Sequence, residues 1–409
     1  MERKKHYHGI IYTGSFLEAI CPILFASQVL GIFPLKRIRP RPSTNFYFTW
    51  FSYASVVCVV FIFWDLVVIL SHILYTRNFK INADIISTTV FFGMGVLIYG
   101  VFMRLSMRWV EIANWWTEKE QRFLRPPYLT ENSRKLKKKL ITVAILIAFL
   151  ATAEHGLYQL SDIYLYTKVI GECNVTRGFQ SFLVRRFEYV NNYIPGIISM
   201  ILSQFVSWFA TAAWNFLDLF IIVISIGIST RFDQLTVALE NHLKHNIPDS
   251  KTMLRFRLDY ITICEILEYV DNHMGLIVFL SAANNLFFVC KQLLHASNVL
   301  RYYTDYVYYW LSMMYLITRT FFMFFSAAGI NDSARGPIVL LHNIPQEYWN
   351  EESSRLLFQI NSSTIALTAM GFFSFTRRII LTMAGAIVTF ELVMMQFVTP
   401  VNNLGPLCP

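Results

Sequence analysis

Long apolar runs separated by charged links organise the chain. Seven stretches hold about the 20 mainly apolar residues that a spanning helix needs: 47–74, 85–103, 140–160, 195–228, 275–295, 306–328 and 379–398. The pattern predicts an all-α polytopic membrane protein with seven transmembrane helices, and an odd count puts the two termini on opposite sides. Shorter periodic patterns lie between the spans. Phe232, Leu235, Leu239 and Leu243, then Leu254, Leu258 and Ile261, recur at steps of three and four, so the fourth and fifth spans are expected to continue as amphipathic helices beyond the membrane. Pro345 and Asn350 offer a stop and an N-cap before the stripe Leu356, Leu357 and Ile360. Periodicity alone leaves that helix open to two readings, a solvated helix or a subunit-packing anchor.

The run Glu18 to Phe33 follows Arg3, Lys4 and Lys5 in the manner of a signal peptide. No small-residue cleavage site comes next; Pro34, Lys36, Arg37, Arg39 and Arg41 do. At about 16 residues it is short for a span, and an interfacial helix on the inner leaflet is expected.

Composition narrows the class. Of 409 residues, 55% are hydrophobic and 15% charged, with a mean hydropathy of +0.45, whereas soluble domains carry about 25% charged residues. A soluble multidomain enzyme is excluded. The net charge of +9 is spread unevenly. Basic residues crowd the N-terminus and the links 104–139, 229–271 and 329–378, with Lys135, Lys137, Lys138 and Lys139 the densest group. The alternate links hold fewer, and 399–409 holds none. The positive-inside rule then places the N-terminus in the cytoplasm and the C-terminus outside, so the charge is a topology signal with no nucleic-acid partner implied. The expected segments are 1–46, cytoplasmic with the interfacial helix; 47–328, six spans with cytoplasmic helix extensions; 329–378, a cytoplasmic anchor; 379–400, the seventh span; and 401–409, an extracellular tail. The Asn174 sequon falls outside and is the expected glycosylation acceptor, whereas Asn331 and Asn361 fall inside. Cys173 and Cys408 both lie outside, though spacing does not fix whether they pair. No catalytic constellation, cofactor motif or metal-ligand spacing is present.

The last stretch carries Thr389, Glu391 and Gln396, polar side chains that hydrocarbon rejects, which makes it a candidate pore wall. Thr389, Val393, Gln396, Phe397 and Pro400 fall close to one stripe. Glu391 lies well round from it, where an interhelical hydrogen bond suits it better.

Several motifs resemble the C-terminal third of insect gustatory receptors: Ile330 to Pro337, Trp349 to Leu356, Phe372-Phe373 with Thr376-Arg377-Arg378, and Gly385 to Phe397. The family signature is Thr-Tyr, five hydrophobic positions, then Gln-Phe. Phe390 stands here for its Tyr and Glu391 for its first hydrophobic residue, the latter as in the sugar-receptor branch. Ala26-Ser27-Gln28-Val29-Leu30-Gly31-Ile32-Phe33-Pro34 resembles that branch's N-terminal pattern. The resemblance implies a ligand-gated, non-selective cation channel in a sensory-neuron plasma membrane. It implies a homotetramer, or a heteromer with related subunits, around one pore lined by the seventh span, passing Na, K and Ca ions and opened by a mono- or disaccharide.

Residues at one depth of the third to sixth spans could hold such a ligand. They are Glu154, His155, Tyr158, Gln159 and Asp162; Gln204 and Trp208; Asn285 and Gln292; and Asp305, Tyr309 and Ser312. Acids and amides take hydroxyl hydrogen bonds, and aromatic faces pack on sugar C–H faces. A seven-helix G-protein-coupled receptor is the alternative, but it requires an external N-terminus, and neither Asp-Arg-Tyr after the third span nor Asn-Pro-x-x-Tyr in the seventh is found. Internal repeats of the transporter kind are not evident either.

Overall fold

The computed structural model describes residues 14–38, 46–79, 83–129, 131–173, 178–295 and 302–397. In chain order the helices are α1 (Phe16–Val29), α2 (Tyr53–Thr76), α3 (Ala83–Glu120), α4 (Glu131–Cys173), α5 (Phe179–Arg186), α6 (Glu188–Asn191), α7 (Ile197–His245), α8 (Ser250–His295), α9 (Tyr303–Ala334), α10 (Pro337–His342), α11 (Glu351–Ser362) and α12 (Arg377–Phe397). A two-stranded antiparallel ribbon, β1 (Leu35–Lys36) with β2 (Tyr47–Phe48), links α1 to α2. Among the described residues six helices are long and apolar enough to cross a membrane, namely α2, α3, α4, α7, α8 and α9. The seventh expected stretch forms α12, whose 21 residues leave Leu381, Val388 and Leu392 exposed.

α7 is the axis of the bundle. It packs against α3, α4, α8 and α9, and 78% of its most apolar 18 residues are buried. α2 and α4 sit at the periphery and expose Val56, Phe63, Leu70, Ile145 and Phe149, the outward apolar face that lipid as solvent requires. The run-on helices expected from periodicity are present: α7 and α8 continue unbroken for 49 and 46 residues. The stripe drawn on α8 differs. Leu254 and Leu258 are exposed, and Met253, Phe256, Tyr260 and Ile263 face inward, because the inner face packs on α3, α7 and α11 rather than on solvent. Asn350 caps α11 by accepting from the Ser353 N–H at 2.9 Å, and Leu356 and Ile360 bury its apolar side.

α1 departs from the expected surface helix. Phe16, Leu17, Ile20 and Leu24 are almost fully buried, and the helix packs along α4 with its ends against α3 and α7. Phe16 stacks on Trp116 at 4.3 Å. A mean apolar character with no sharp polar face suits burial between helices better than a bilayer surface, which demands a strongly charged side.

Candidate functional site

Near the end of the bundle that carries α5 and α6, seven helices, α3 to α9, line a cavity of about 340 Å³. This lies within the usual 300–1,000 Å³ range of small-molecule pockets. Helical repeat explains how each element contributes a stripe. α4 supplies Glu154, His155 and Tyr158; α7 supplies Ser207, Thr211, Trp214 and Asn215; α9 supplies Tyr308, Ser312, Tyr315 and Arg319. Phe288, Lys291 and Gln292 come from α8, and Ser87, Thr88, Phe91 and Phe92 from the start of α3. The cover is the α5–α6 segment, which lowers Arg186, Phe187 and Tyr189 onto the cavity. Gly178 and Gly196 flank it at φ of 154° and 144°, backbone angles that only glycine adopts without strain.

The polar groups are organised in two layers. In the upper one, Arg186 donates from Nη1 to Gln159 Oε1 at 2.7 Å and to Asp162 Oδ2 at 2.6 Å, while its guanidinium lies 4.9 Å over the Tyr158 ring. Gln159 also contacts His155 Nε2 at 3.1 Å, and His155 Nδ1 meets Thr211 Oγ1 at 3.2 Å. Glu154 accepts from Ser312 Oγ at 2.7 Å and from Tyr308 at 3.4 Å, which leaves carboxylate lone pairs for a ligand.

The lower layer is a buried ion pair. Arg319 Nε lies 2.9 Å from Asp218 Oδ2, the two side chains being 3% and 0% exposed. The angle at Nε misses that of a hydrogen bond, so the contact is chiefly Coulombic. Other bonds complete the set. Arg319 donates to Asn215 and Asn285, Asn285 and Ser281 donate to Asp218, and Tyr315 donates to Asn215 at 2.6 Å. The guanidinium also lies 4.5 Å over Trp214. Desolvation makes a buried pair costly unless its remaining donors and acceptors are met, and this network meets most of them with side chains of α7, α8 and α9.

Of the twelve residues expected to hold ligand, Glu154, His155, Tyr158, Gln292 and Ser312 line the cavity. The others do not reach it. Gln159 and Asp162 stand behind Arg186 as its anchors, and Asn285 lies beneath the floor, bonded to Asp218. Tyr309 donates to the Gln292 carbonyl, and Asp305 accepts from Ser161 Oγ at 2.7 Å. Gln204 is turned into the protein, its Oε1 buried without a partner. Trp208 packs on His155 from the opposite side, 4.2 Å between ring centroids.

On α12, Thr389 is exposed and bonds its own helix at Gly385 O; Val393 is 45% exposed and Phe390 43%. The side chains of Glu391, Gln396 and Phe397, together with Pro400, Asn174, Cys408 and the side chain of Cys173, lie outside the described residues. Among those described, no cluster of metal-ligating side chains occurs.

Arg319, Tyr308, Tyr315 and Asn215 were not singled out in the sequence. A usable signal existed: Asp218 and Arg319 are charges inside apolar stretches, which mark function or pairing by default. Arg186 had none, since the eight residues of α5 are too few to show a periodicity.

Comparison with known proteins gives the lineage. A family model described as "Trehalose receptor" matches residues 2–408. Gustatory receptor for sugar taste 64a of Drosophila melanogaster is 36% identical over 399 residues, covering 96% of this chain and 87% of that protein. Gustatory receptor 5a for trehalose of the same species is 26% identical over 406 residues, covering 95% and 86%. The insect olfactory receptor OR5 of Machilis hrabei, in its structure with eugenol, shares the fold at a TM-score of 0.64 and 15% identity, covering 94% of this chain and 98% of that one. The chain therefore belongs to the trehalose-receptor family of insect gustatory receptors, multi-span membrane receptors rather than enzymes.

Proposed function

We propose that this receptor is a sugar-gated cation channel, with the ligand held in the α3–α9 cavity and ions passing along α12 in an assembly of four subunits. The observation that carries the reading is the cavity itself. A carboxylate, two amides, nine hydroxyl-bearing side chains and two guanidinium groups surround a space of sugar size, with Trp214, Phe288 and Tyr158 as platforms for its C–H faces. Each hydroxyl exchanges water for protein at a net of about 0.5–1.5 kcal/mol, so affinity is weak. Selectivity is sharper, because a missing hydroxyl strands a buried partner at roughly 1–3 kcal/mol.

The N-terminus and the anchor end lie in the cytoplasm, and the α5–α6 cover faces outside. A physical route joins cavity to pore. α9 carries five cavity residues, and at its far end Asp332 accepts from Arg377 at 2.7 Å, the first residue of α12. α8 carries Gln292 and, toward the same end, Asp271, which accepts from the Thr368 N–H and hydroxyl, both at 2.7 Å, shortly before α12. Phe324 of α9 stacks on Phe375 at 5.1 Å. Sugar that draws α8 and α9 together thus pulls the base of α12. Turning a mostly shut gate mostly open takes about 5.5 kcal/mol of differential binding, a load four pockets share. Gln396 presents an amide dipole to the permeating cation, and the apolar members of its stripe close the shut pore by dewetting.

Expression of the chain alone in a cell line, challenged with a panel of mono- and disaccharides under calcium imaging, tests ligand class and self-sufficiency together. The expected result is calcium entry to a restricted set of sugars; silence to every sugar with normal surface expression overturns the reading for the chain acting alone.

A further inference from the structure

The wall made by His155, Thr211 and Asn215 has a second face. Behind it, between α1, α4 and α7, lies a separate groove of about 230 Å³ lined chiefly by apolar groups, among them Ile23, Ala144, Ala148, Ala151 and Phe216. Alanines at three successive positions of one α4 stripe leave the space that larger side chains would fill. The groove opens where α4 meets lipid, for Ile145, Leu146 and Phe149 on the neighbouring face are 64%, 56% and 68% exposed. Hydrocarbon is the solvent at that mouth, and a void beside it forfeits the contacts that an entering chain would make.

Dimensions and charge select the occupant. From Ala144 to Ala151 the helix rises about 10 Å, which fits within the roughly 15 Å that one leaflet contributes to a 30 Å hydrocarbon core. The stripe 144–148–151 runs back through Ile141 to Lys137 by steps of three and four. Lys137 is steered there by Glu18 of α1 at 3.3 Å, and Lys138 beside it is exposed. An apolar slot of about this depth, with Lys137 and Lys138 two turns before its first alanine on α4, matches one acyl chain with its phosphate at the head.

We propose that the α1–α4–α7 groove is a phospholipid site, with one acyl chain seated against the back of the His155–Thr211–Asn215 wall and the lipid phosphate held at Lys137 and Lys138. The bound chain braces the wall that the ligand cavity shares. The site follows from the membrane location alone and stands whether or not the cavity takes a sugar.

The test uses full-length receptor in nanodiscs containing a phosphatidylcholine that carries a photoactivatable diazirine in mid-chain, with crosslinked peptides mapped by mass spectrometry. Labelling of 144–151 and 208–219 should exceed labelling of the lipid-facing side of α2, at Phe63, Leu66 and Leu70, by roughly tenfold. Ala148→Phe should abolish the excess, and Lys137→Gln with Lys138→Gln should reduce it, with the size-exclusion profile unchanged. Should Ala148→Phe not fold, Ala144→Leu serves the same purpose. Labelling equal to that of α2, an excess that survives both groove-filling variants, competition by a sterol but not by phospholipid, or crosslinks from the groove to a second subunit would each overturn the proposal.

Discussion

α7 and α12 are both apolar helices, of 49 and 21 residues, yet the chain surrounds one and leaves much of the other bare. α7 buries most of its circumference, and its internal polar groups Asn215 and Asp218 find partners on α8 and α9. Among the described residues α12 packs chiefly on α8 and α9, and Leu381, Val388 and Leu392 are 79%, 57% and 60% exposed. The difference separates two tasks. A helix that must hold a fixed polar cavity is completed within one chain, because a half-satisfied buried network costs more than an apolar core. On the proposed function, α12 takes its surroundings from lipid and from other copies of the chain, so that it can change its neighbours as a gate requires.

The comparison breaks first if the α7 network is dispensable. Arg319→Met leaves Asp218 buried without its cation and should cost ~3–5 kcal/mol, seen as loss of monodisperse receptor in detergent. Replacing both partners, Arg319→Met with Asp218→Leu, should recover much of the folded yield, since apolar pairs of similar volume replace buried ion pairs at little cost. Equal yields from Arg319→Met and the unsubstituted receptor would show that the pair is not structural. A smaller effect belongs to the cavity. Glu154→Gln weakens the charge-assisted bonds a ligand hydroxyl can make and should raise the half-activating sugar concentration roughly tenfold while maximal current is kept, read from concentration–response curves.

The smallest effect lies at the anchor. Hydrogen bonding from Arg257, assisted by Arg355, holds the Glu352 carboxyl below the usual carboxylate range. Because the folded value is depressed, the contribution to α11 docking is present above the ordinary carboxylate pKa and is lost as pH falls through the folded value. Thermal midpoints measured down that range should fall more steeply for the unsubstituted receptor than for Glu352→Gln.

The fold was largely legible because spanning helices announce themselves by length and apolarity, whatever packs around them. The site was legible only where periodicity happened to choose the right stripe. On α9 two stripes meet at Ser312: the one through Asp305 and Tyr309 turns away from the cavity, and the one through Tyr308, Tyr315 and Arg319 lines it. Nothing local separates them, because aromatic and polar residues stand on both. Trp208 illustrates the same limit, since a tryptophan one turn from a cavity serves as readily on its far side. The packing of α1 was not legible for a related reason: basic flanks and short length are local features, and only the partner faces of α3, α4 and α7 show that it is buried within the bundle.

On the proposed function, sugar opens an ion path bordered by α12 without an intermediary. Outside-out patches excised from cells expressing the chain, bathed in nucleotide-free solution, test this most directly. Sugar-evoked cation current should persist without nucleotide, with Gln396→Ala altering single-channel conductance while the half-activating sugar concentration stays within about twofold, as expected of a residue remote from the ligand. Current that vanishes on excision, or a Gln396→Ala receptor with unchanged conductance and a shifted sugar dependence, would contradict it.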